Sequence, residues 1–509
     1  MIFAQINSMN FPILSSMIGI CLIGAIVVAL LSKAQAGLAR MLGLVFTSAA
    51  LGLGIYLVYA FKSVSNIQAK ESYTWIKDLG INFSLGVDGL SVFLVALSVF
   101  LFPLAILASK SIKNNERSFI AWLLFLEAAI ITVFVARDIF VFFIGFELVL
   151  IPMYFLILGF GHENAKKASM KFFLFTMGGS VFFLASMLTI AAMRHGSTGT
   201  WCFDIEQLRV YSVNNVSGSV GLWLFAGFAI AFAVKVPLFP LHTWLPDAHT
   251  EAPTAGSIIL AGLLLKLGTY GFLRIAVSFF PSAAHQLRWI FLTVAVIGII
   301  YGAIVATMQP DLKRLIAYSS IAHLGFVVLG IFSFTELGIS GATFTMVSHG
   351  LTTSALFAIV GMMYDRTHTR KIADYSGLMK TVPVLSGAFL IATFASIGLP
   401  GFSGFVGEFL SMLGAFNSAR FYTVIAVTGV IFAALYLLWA YQRIFTGEPN
   451  ALAKKMKDLS FREIVVVVPL LLMSLFLGLV PQYMLDRINP SVHKTTTQIS
   501  KSIHSGESK

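Results

Sequence analysis

Charge is scarce in this sequence. Asp, Glu, Lys and Arg make up 11% of its 509 residues, against roughly 25% in soluble globular chains. With 58% hydrophobic residues and a mean hydropathy of +0.89, that deficit excludes a soluble enzyme and describes a polytopic membrane protein. Cysteine is nearly absent. Cys21 and Cys202 stand alone, without ligand spacing, which excludes an iron–sulfur cluster or a zinc–thiolate site within the chain. The signatures G-x-G-x-x-G, the P-loop and G-x-S-x-G are missing too, so nothing points to nucleotide or acyl chemistry. A net charge of +12 would suit nucleic acid in a soluble domain. Here the basic residues fall between apolar runs, the pattern that orients a chain in a lipid bilayer, and no nucleic-acid partner is expected.

What is present is a succession of apolar runs, at about residues 11–31, 41–61, 88–109, 118–136, 139–160, 170–193, 219–243, 253–280, 288–307, 314–333, 337–363, 382–414, 421–443 and 462–480. Each is near the ~20 residues that a bilayer requires. They predict an all-α polytopic chain of about fourteen transmembrane helices. No basic residue precedes the first run, because the first in the chain is Lys33, so this run reads as a retained helix and not a signal peptide. Between the second and third runs, SNIQAKESYTWIKDLGINFSLGVDG is too polar to span, and its alternation predicts an extra-membrane β-hairpin. The polar tail from Pro481 is expected to need no structure. Lys and Arg concentrate in the loops after odd-numbered runs, from Lys33 and Arg40 to Lys454, Lys455 and Lys457. That bias sets those loops in the cytoplasm or matrix and both termini outside.

The chain is organised around residues 234–268, VKVPLFPLHTWLPDAHTEAPTAGSIILAGLLLKLG. Pro237 has no N–H to offer the carbonyl of Ala233, so the helix must kink or break there, and such a break is tolerated in a membrane only where protein or a wet cavity satisfies the freed groups. Lys235 sits on the break and Lys266 in the apolar run that follows. A lysine at mid-membrane costs about 2.5–3.5 kcal/mol even on lenient insertion scales. A second interruption, SIGLPGFSGFVGEF at residues 396–409, ends on Glu408. One interrupted helix in each half of a long hydrophobic chain points to paired sites in a repeat-built transporter. Glu127 and Glu147 also lie within apolar runs, as do His323 and His349, the two histidines with hydroxyl neighbours. Arg274, Arg137 and Asp138 lie near run ends, where structural ion pairs or snorkelling explain them, and Asp88 reads as a helix cap. Lys235, Lys266, Glu147 and Glu408 are central and isolated, as ion-path residues are, and the two histidines suit a proton relay. Glu127 either joins them or only holds the Glu147 helix in place. Such a row of Lys, His and Glu carries protons without redox cofactors.

The long motif, with RDIFVFFIGFELVLIPMYF and GLPGFSGFVGEF, closely resembles the antiporter-like membrane subunits of respiratory complex I, the proton-pumping NADH:quinone oxidoreductase, over essentially all the runs. Similar subunits occur in multi-subunit cation/H⁺ antiporters. Glu408 resembles the M-type chains, because the sister N- and L-type chains carry lysine there. The resemblance implies inverted five-helix repeats, a midplane proton path and energy from NADH oxidation in other subunits. This chain would be a non-redox part of a translocase. NADH, FMN, Fe–S clusters and quinone would belong to partner subunits, and the partners would be other complex I membrane subunits in a bacterial inner membrane. Carried onto this sequence, Glu147 and Lys235 would be a coupled pair, Lys266 the central relay, His323 and His349 connectors, and Glu408 the exit-side residue. A cation/H⁺ antiporter subunit is the alternative, and a purely structural spacer is disfavoured by the buried charges.

The expected units are 1–117, the N-terminal helices and hairpin; 118–280, a first half broken near 235–237; 287–445, a second half broken near 398–401; and 446–509, the last helix and polar tail. Reporter fusions after Lys113, Lys166 and Arg370 are expected to report the cytoplasmic side, and one after Lys77 the opposite side. A Lys77 fusion agreeing with Lys166 would overturn the helix count between them.

Overall fold

The computed structural model describes residues 11–507. In hydrocarbon every main-chain N–H and C=O must find a partner, and a helix supplies them within its own segment. Among the described residues, twelve helices are long and apolar enough to cross a membrane, and two shorter apolar helices, Val92–Ala108 and Pro383–Ser396, join them. The chain is an all-helical, multi-pass membrane protein, as its apolar runs predict. The two interruptions divide their runs. The run at 219–243 becomes Gly218–Lys235 followed by the short Trp244–Glu251, and the run at 382–414 becomes Pro383–Ser396 and Ser403–Ser418.

Burial sorts the helices into a centre and a rim. Thr254–Val277 and Leu312–Ile331 are each buried over 94% of their most apolar stretch, and Glu336–Thr367 over 100% of it. Lys33–Ala60 and Arg420–Phe445 are buried over only 28% and 33%, and they turn Ile55, Tyr59, Phe421 and Ile431 outward. Hydropathy is lower in the central helices than at the rim, because polar side chains collect where protein and not lipid surrounds them, but it says nothing of which helices touch. Small residues mark the closest contacts instead. A Cβ built on Gly414 would lie 2.1 Å from the Gly338 nitrogen, and one on Gly341 2.2 Å from the Ser411 nitrogen. Glu336–Thr367 and Ser403–Ser418 therefore cross with their main chains in contact, and this crossing carries Glu408 into the centre.

The expected hairpin is present. Gln68–Ile76 pairs antiparallel with Ile81–Val87, from Gln68 opposite Val87 to Ile76 opposite Ile81. The Glu71 carboxylate accepts from the backbone nitrogens of Leu14 (2.7 Å) and Ser15 (3.0 Å), so the hairpin caps the first span. The tail corrects the sequence reading, since Gln482–Glu507 is one helix. Its average polarity hides an apolar stripe, Met484, Ile488, Val492 and Ile499, all buried at helical spacing. Connectivity puts this helix and the hairpin on one face of the bundle. The loops rich in lysine and arginine gather on the opposite face, where Arg40–Glu116 (2.5 Å), Arg366–Glu463 (2.7 Å) and Arg370–Asp311 (3.1 Å) pair.

The glycine crossing gives a test. Gly414→Ala is expected to destabilise the protein by about 1–3 kcal/mol through overpacking, read as a lower melting temperature of the full chain. Gly387→Ala, where nothing lies within 4 Å of the added carbon, should leave it unchanged. Equal melting temperatures for the two variants would contradict the close crossing.

Candidate functional site

Both interruptions end their helices in the same way. At the first, Val236 N donates to Phe232 O (2.8 Å) and Leu238 N to Ala233 O (3.0 Å); at the second, Ile397 N donates to Thr393 O (2.9 Å) and Leu399 N to Phe394 O (3.1 Å). The six-residue closure from Leu238 to Ala233, and from Leu399 to Phe394, is that of a Schellman turn. At the second break Gly398 supplies the left-handed residue the turn needs, with φ 77°. At the first, Pro237 cannot donate, and the Val234 carbonyl it would have served accepts from the Trp244 indole at 3.0 Å instead. The carbonyl of Ala233, which the sequence left without a partner, is thus served by Leu238.

Four of the residues singled out from the sequence meet in one buried row. Lys266 Nζ lies 2.7 Å from His349 Nδ1 and also donates to the Ala261 carbonyl. The His349 and His323 rings are 5.7 Å apart, centre to centre. His323 Nδ1 lies 2.5 Å from Glu408 Oε1. All four side chains are buried, at 0% to 6% exposure, so bulk water neither screens nor bypasses them. An ammonium at one end and a carboxylate at the other, with two imidazoles between, can exchange protons by small movements of the rings, since imidazole both accepts and donates. The Lys266 helix is wound to match. Leu260–Leu264 and Phe272–Val277 are π-helical and flank it, a distortion frequent at functional sites. It is the widened first segment whose Ala261 carbonyl meets the ammonium.

Glu147 and Lys235 form a second, smaller cluster. Lys235 Nζ lies 3.4 Å from the Phe146 carbonyl and 4.4 Å from the Phe146 ring centre. It is close enough to Glu147 for a direct electrostatic interaction, although no nitrogen–oxygen contact within 4 Å joins them. Lys235 packs against Gly268, where an added Cβ would lie 3.0 Å from its own, so the two clusters sit on touching helices. No hydrogen bond links Lys235 to Lys266 among the described residues. Glu127 lies outside both clusters, fully buried beside Cys21 of Ile13–Leu30.

Several partners escaped the sequence reading. Ser396 Oγ and Tyr436 OH approach His323 Nε2 at 3.4 and 3.5 Å, and Ser180 lies beside Glu147. Ser180 shares a buried face with Thr176 and Ser169 at helical spacing, a signal available in the sequence. Tyr436 sits in an unbroken apolar run and gave none. His249, inside the long motif, is fully buried against Phe357, with rings 4.5 Å apart and 5° from parallel. Near the run ends, Asp88 receives Leu90 N at 3.1 Å and pairs with Arg274 at 2.6 Å, as a cap and an ion pair should. Asp138 caps Ile139–Leu148, accepting from Phe140 N at 2.8 Å. Among the described residues Arg137 makes no ion pair, and its side chain enters no hydrogen bond.

With this geometry in place, the chain can be set beside known proteins. Residues 136–433 match the family model described as NADH:quinone oxidoreductase/Mrp antiporter, TM, which covers more than half of the 509 residues. The chain belongs to this family. Residues 17–133 match a second family model, NADH-ubiquinone oxidoreductase chain 4, amino terminus. NADH-quinone oxidoreductase subunit M of Rickettsia bellii is 43% identical over 86% of this chain and 88% of its own length. The subunit M of Rhodobacter capsulatus is 42% identical over 84% of each, and that of Mycobacterium tuberculosis 37% identical over 97% of this chain and 95% of its own. A chain of respiratory complex I from Thermus thermophilus with bound NADH superposes with a TM-score of 0.87 at 30% identity, covering 96% of this family member and 100% of that chain. A chain of the Mrp complex from Dietzia sp. has a TM-score of 0.85 at 20% identity, covering 97% and 99%, and shares the fold.

Proposed function

We propose that this chain is the M-type, proton-translocating membrane subunit of an NADH:quinone oxidoreductase, and that the row Lys266–His349–His323–Glu408 carries its protons. The observation behind this reading is the row itself: two halves of the chain, each with a broken helix, are joined at the centre by groups that all titrate. Lys235, held by Phe146 and Glu147, loads or releases a proton as the carboxylate beside it changes charge or moves. Lys266 passes its proton to His349, the paired imidazoles hand it on, and Glu408 releases it on the far side of the second break. Each step transfers one proton between a named donor and acceptor, so the chain needs no electron carrier of its own. NADH, FMN, Fe–S clusters and quinone belong to partner subunits in this reading. Glu127, which faces Cys21 of Ile13–Leu30, stands outside the row.

The reading extends to the membrane. The chain lies in a bacterial inner membrane with its lysine- and arginine-rich loops in the cytoplasm and both termini outside. The segments 118–280 and 287–445 act as two halves, each contributing one break. The match of residues 17–133 to the chain 4 amino terminus favours complex I over a stand-alone cation/H⁺ antiporter subunit.

Two experiments test the assignment. Lys235→Ala and Glu147→Gln should each reduce proton pumping to below about a tenth of wild type while the complex still assembles, as expected for loss of an acid–base group. The double variant should be no worse than either single one, because coupled residues lose their function together; additive losses would separate their roles. At Glu408, a titratable replacement should outperform a shape-preserving one. Glu408→Lys is expected to retain part of the pumping and quinone reductase activity, and Glu408→Gln clearly less. Wild-type pumping by Glu408→Gln would make Glu408 structural.

A further inference from the structure

Arg137 stands between Glu116–Val135 and Ile139–Phe160 with 8% of its surface exposed. Its backbone N–H donates to Ser84 O at 2.8 Å, but its guanidinium has no hydrogen-bond or ion-pair partner among the described residues. It opens instead onto a cavity of about 560 Å³ on the hairpin face, walled by the hairpin, the helix Ile205–Asn215 and the C-terminal helix. Five cationic side chains line this cavity, Lys70, Arg137, Arg209, Arg274 and Lys494, against two carboxylates, Asp88 and Glu206. Both carboxylates are already engaged. Arg274 Nη2 meets Asp88 Oδ1 at 2.6 Å, and Arg209 Nη2 meets Glu206 Oε1 at 2.7 Å. Lys70, Arg137 and Lys494 are left with no carboxylate within 4 Å.

A buried guanidinium with no bonded counter-charge is costly. Burial and the like charge of Arg274 outweigh the opposite pull of Asp88 and Asp204 and hold Arg137 below its usual range, so the site as built disfavours the charge it carries. An anion in the cavity reverses that balance. Arginine's planar fork suits the paired oxygens of a tetrahedral oxyanion, which it grips through two parallel hydrogen bonds. The rest of the wall is donor-rich, with Ser65, Ser278, Thr495 and Gln498 around the cations. We propose that this cavity is a phosphate-group site, with Arg137 as the central ligand and Lys70 and Lys494 closing it from the hairpin and the C-terminal helix. The phosphate is either free in solution or the head of a phospholipid. The inference does not depend on the proton-relay reading, since none of its residues belongs to that row.

The test uses the intact complex purified in neutral detergent. Equilibrium binding of radiolabelled inorganic phosphate is measured at constant ionic strength, in the wild type and with Arg137→Gln or Lys494→Gln in this chain. The expected result is one saturable site, weakened about tenfold or more by Arg137→Gln, as befits loss of a charge-assisted contact, and less by Lys494→Gln. Should free phosphate not bind, the same complexes are placed in phosphatidylcholine nanodiscs containing phosphatidylglycerol, and retained phosphatidylglycerol is counted after re-extraction. An extra lipid held by the wild type and lost in the variants assigns the phosphate to a headgroup. If neither probe distinguishes wild type from Arg137→Gln, the cavity holds only water and the proposal fails. If Arg137→Gln does not assemble, Lys494→Gln, altered at an exposed position, decides, and unchanged binding of both probes overturns the proposal.

Discussion

An ion in hydrocarbon must be given a partner, and this requirement shapes the protein from its centre outward. Lys266 could not be carried across a membrane on an ordinary apolar helix without cost. The helix that carries it is π-wound on either side, presents the Ala261 carbonyl to the ammonium, and is enclosed so completely that no lipid approaches it. His349, His323 and Glu408 continue the same solution, each within reach of the next, the two histidines on helices buried along most of their length and Glu408 on the buried face of Ser403–Ser418. The peripheral helices are left to satisfy the lipid, and they do so with exposed aliphatic and aromatic faces. The division into a polar spine and an apolar jacket follows from confining charge to the one place where it can be answered.

Much of this was legible in the sequence because charge in an apolar run is so conspicuous. Lys235, Lys266, Glu147, Glu408, His323 and His349 could be picked out one by one, and Pro237 and Gly398 announced the broken helices through what they do to the backbone. What the sequence could not supply was adjacency. Nothing in the spacing of residues 266, 349, 323 and 408 says that they form a row, since they come from four helices whose order in space depends on packing. Lower hydropathy marks the central helices but says nothing of their order. The C-terminal helix was missed for a different reason: its apolar stripe is present at regular spacing, but the polar average of the segment conceals it. Arg137 shows the limit most clearly, because an ion pair and snorkelling were both open to it and only the folded chain shows that no ion pair is made.

The two breaks are chemically unequal although their geometry is shared. The second rests on Gly398 and its freedom to take a left-handed conformation. The first substitutes a side chain for a missing backbone donor, with the Trp244 indole standing in for the N–H that Pro237 lacks. The same turn can therefore be reached by opposite routes, one by removing a side chain and the other by recruiting a large one. This is consistent with the two halves being matched in shape while differing in residues.

The C-terminal helix has a mechanical meaning. Its 26 residues reach ~39 Å at the ordinary helical rise. Along that length Ser491 receives the Gly89 nitrogen at 3.0 Å, Asn489 receives the Ser340 hydroxyl at 2.9 Å, His493 meets Glu336 at 2.6 Å, and the Ser502 carbonyl receives the Ser282 hydroxyl at 3.3 Å. Its partners are Gly89 before the helix Val92–Ala108, the long central helix Glu336–Thr367 and the short helix Pro281–Gln286, so it ties these three parts of the chain together. Movement of one of these parts against another would first have to break those bonds.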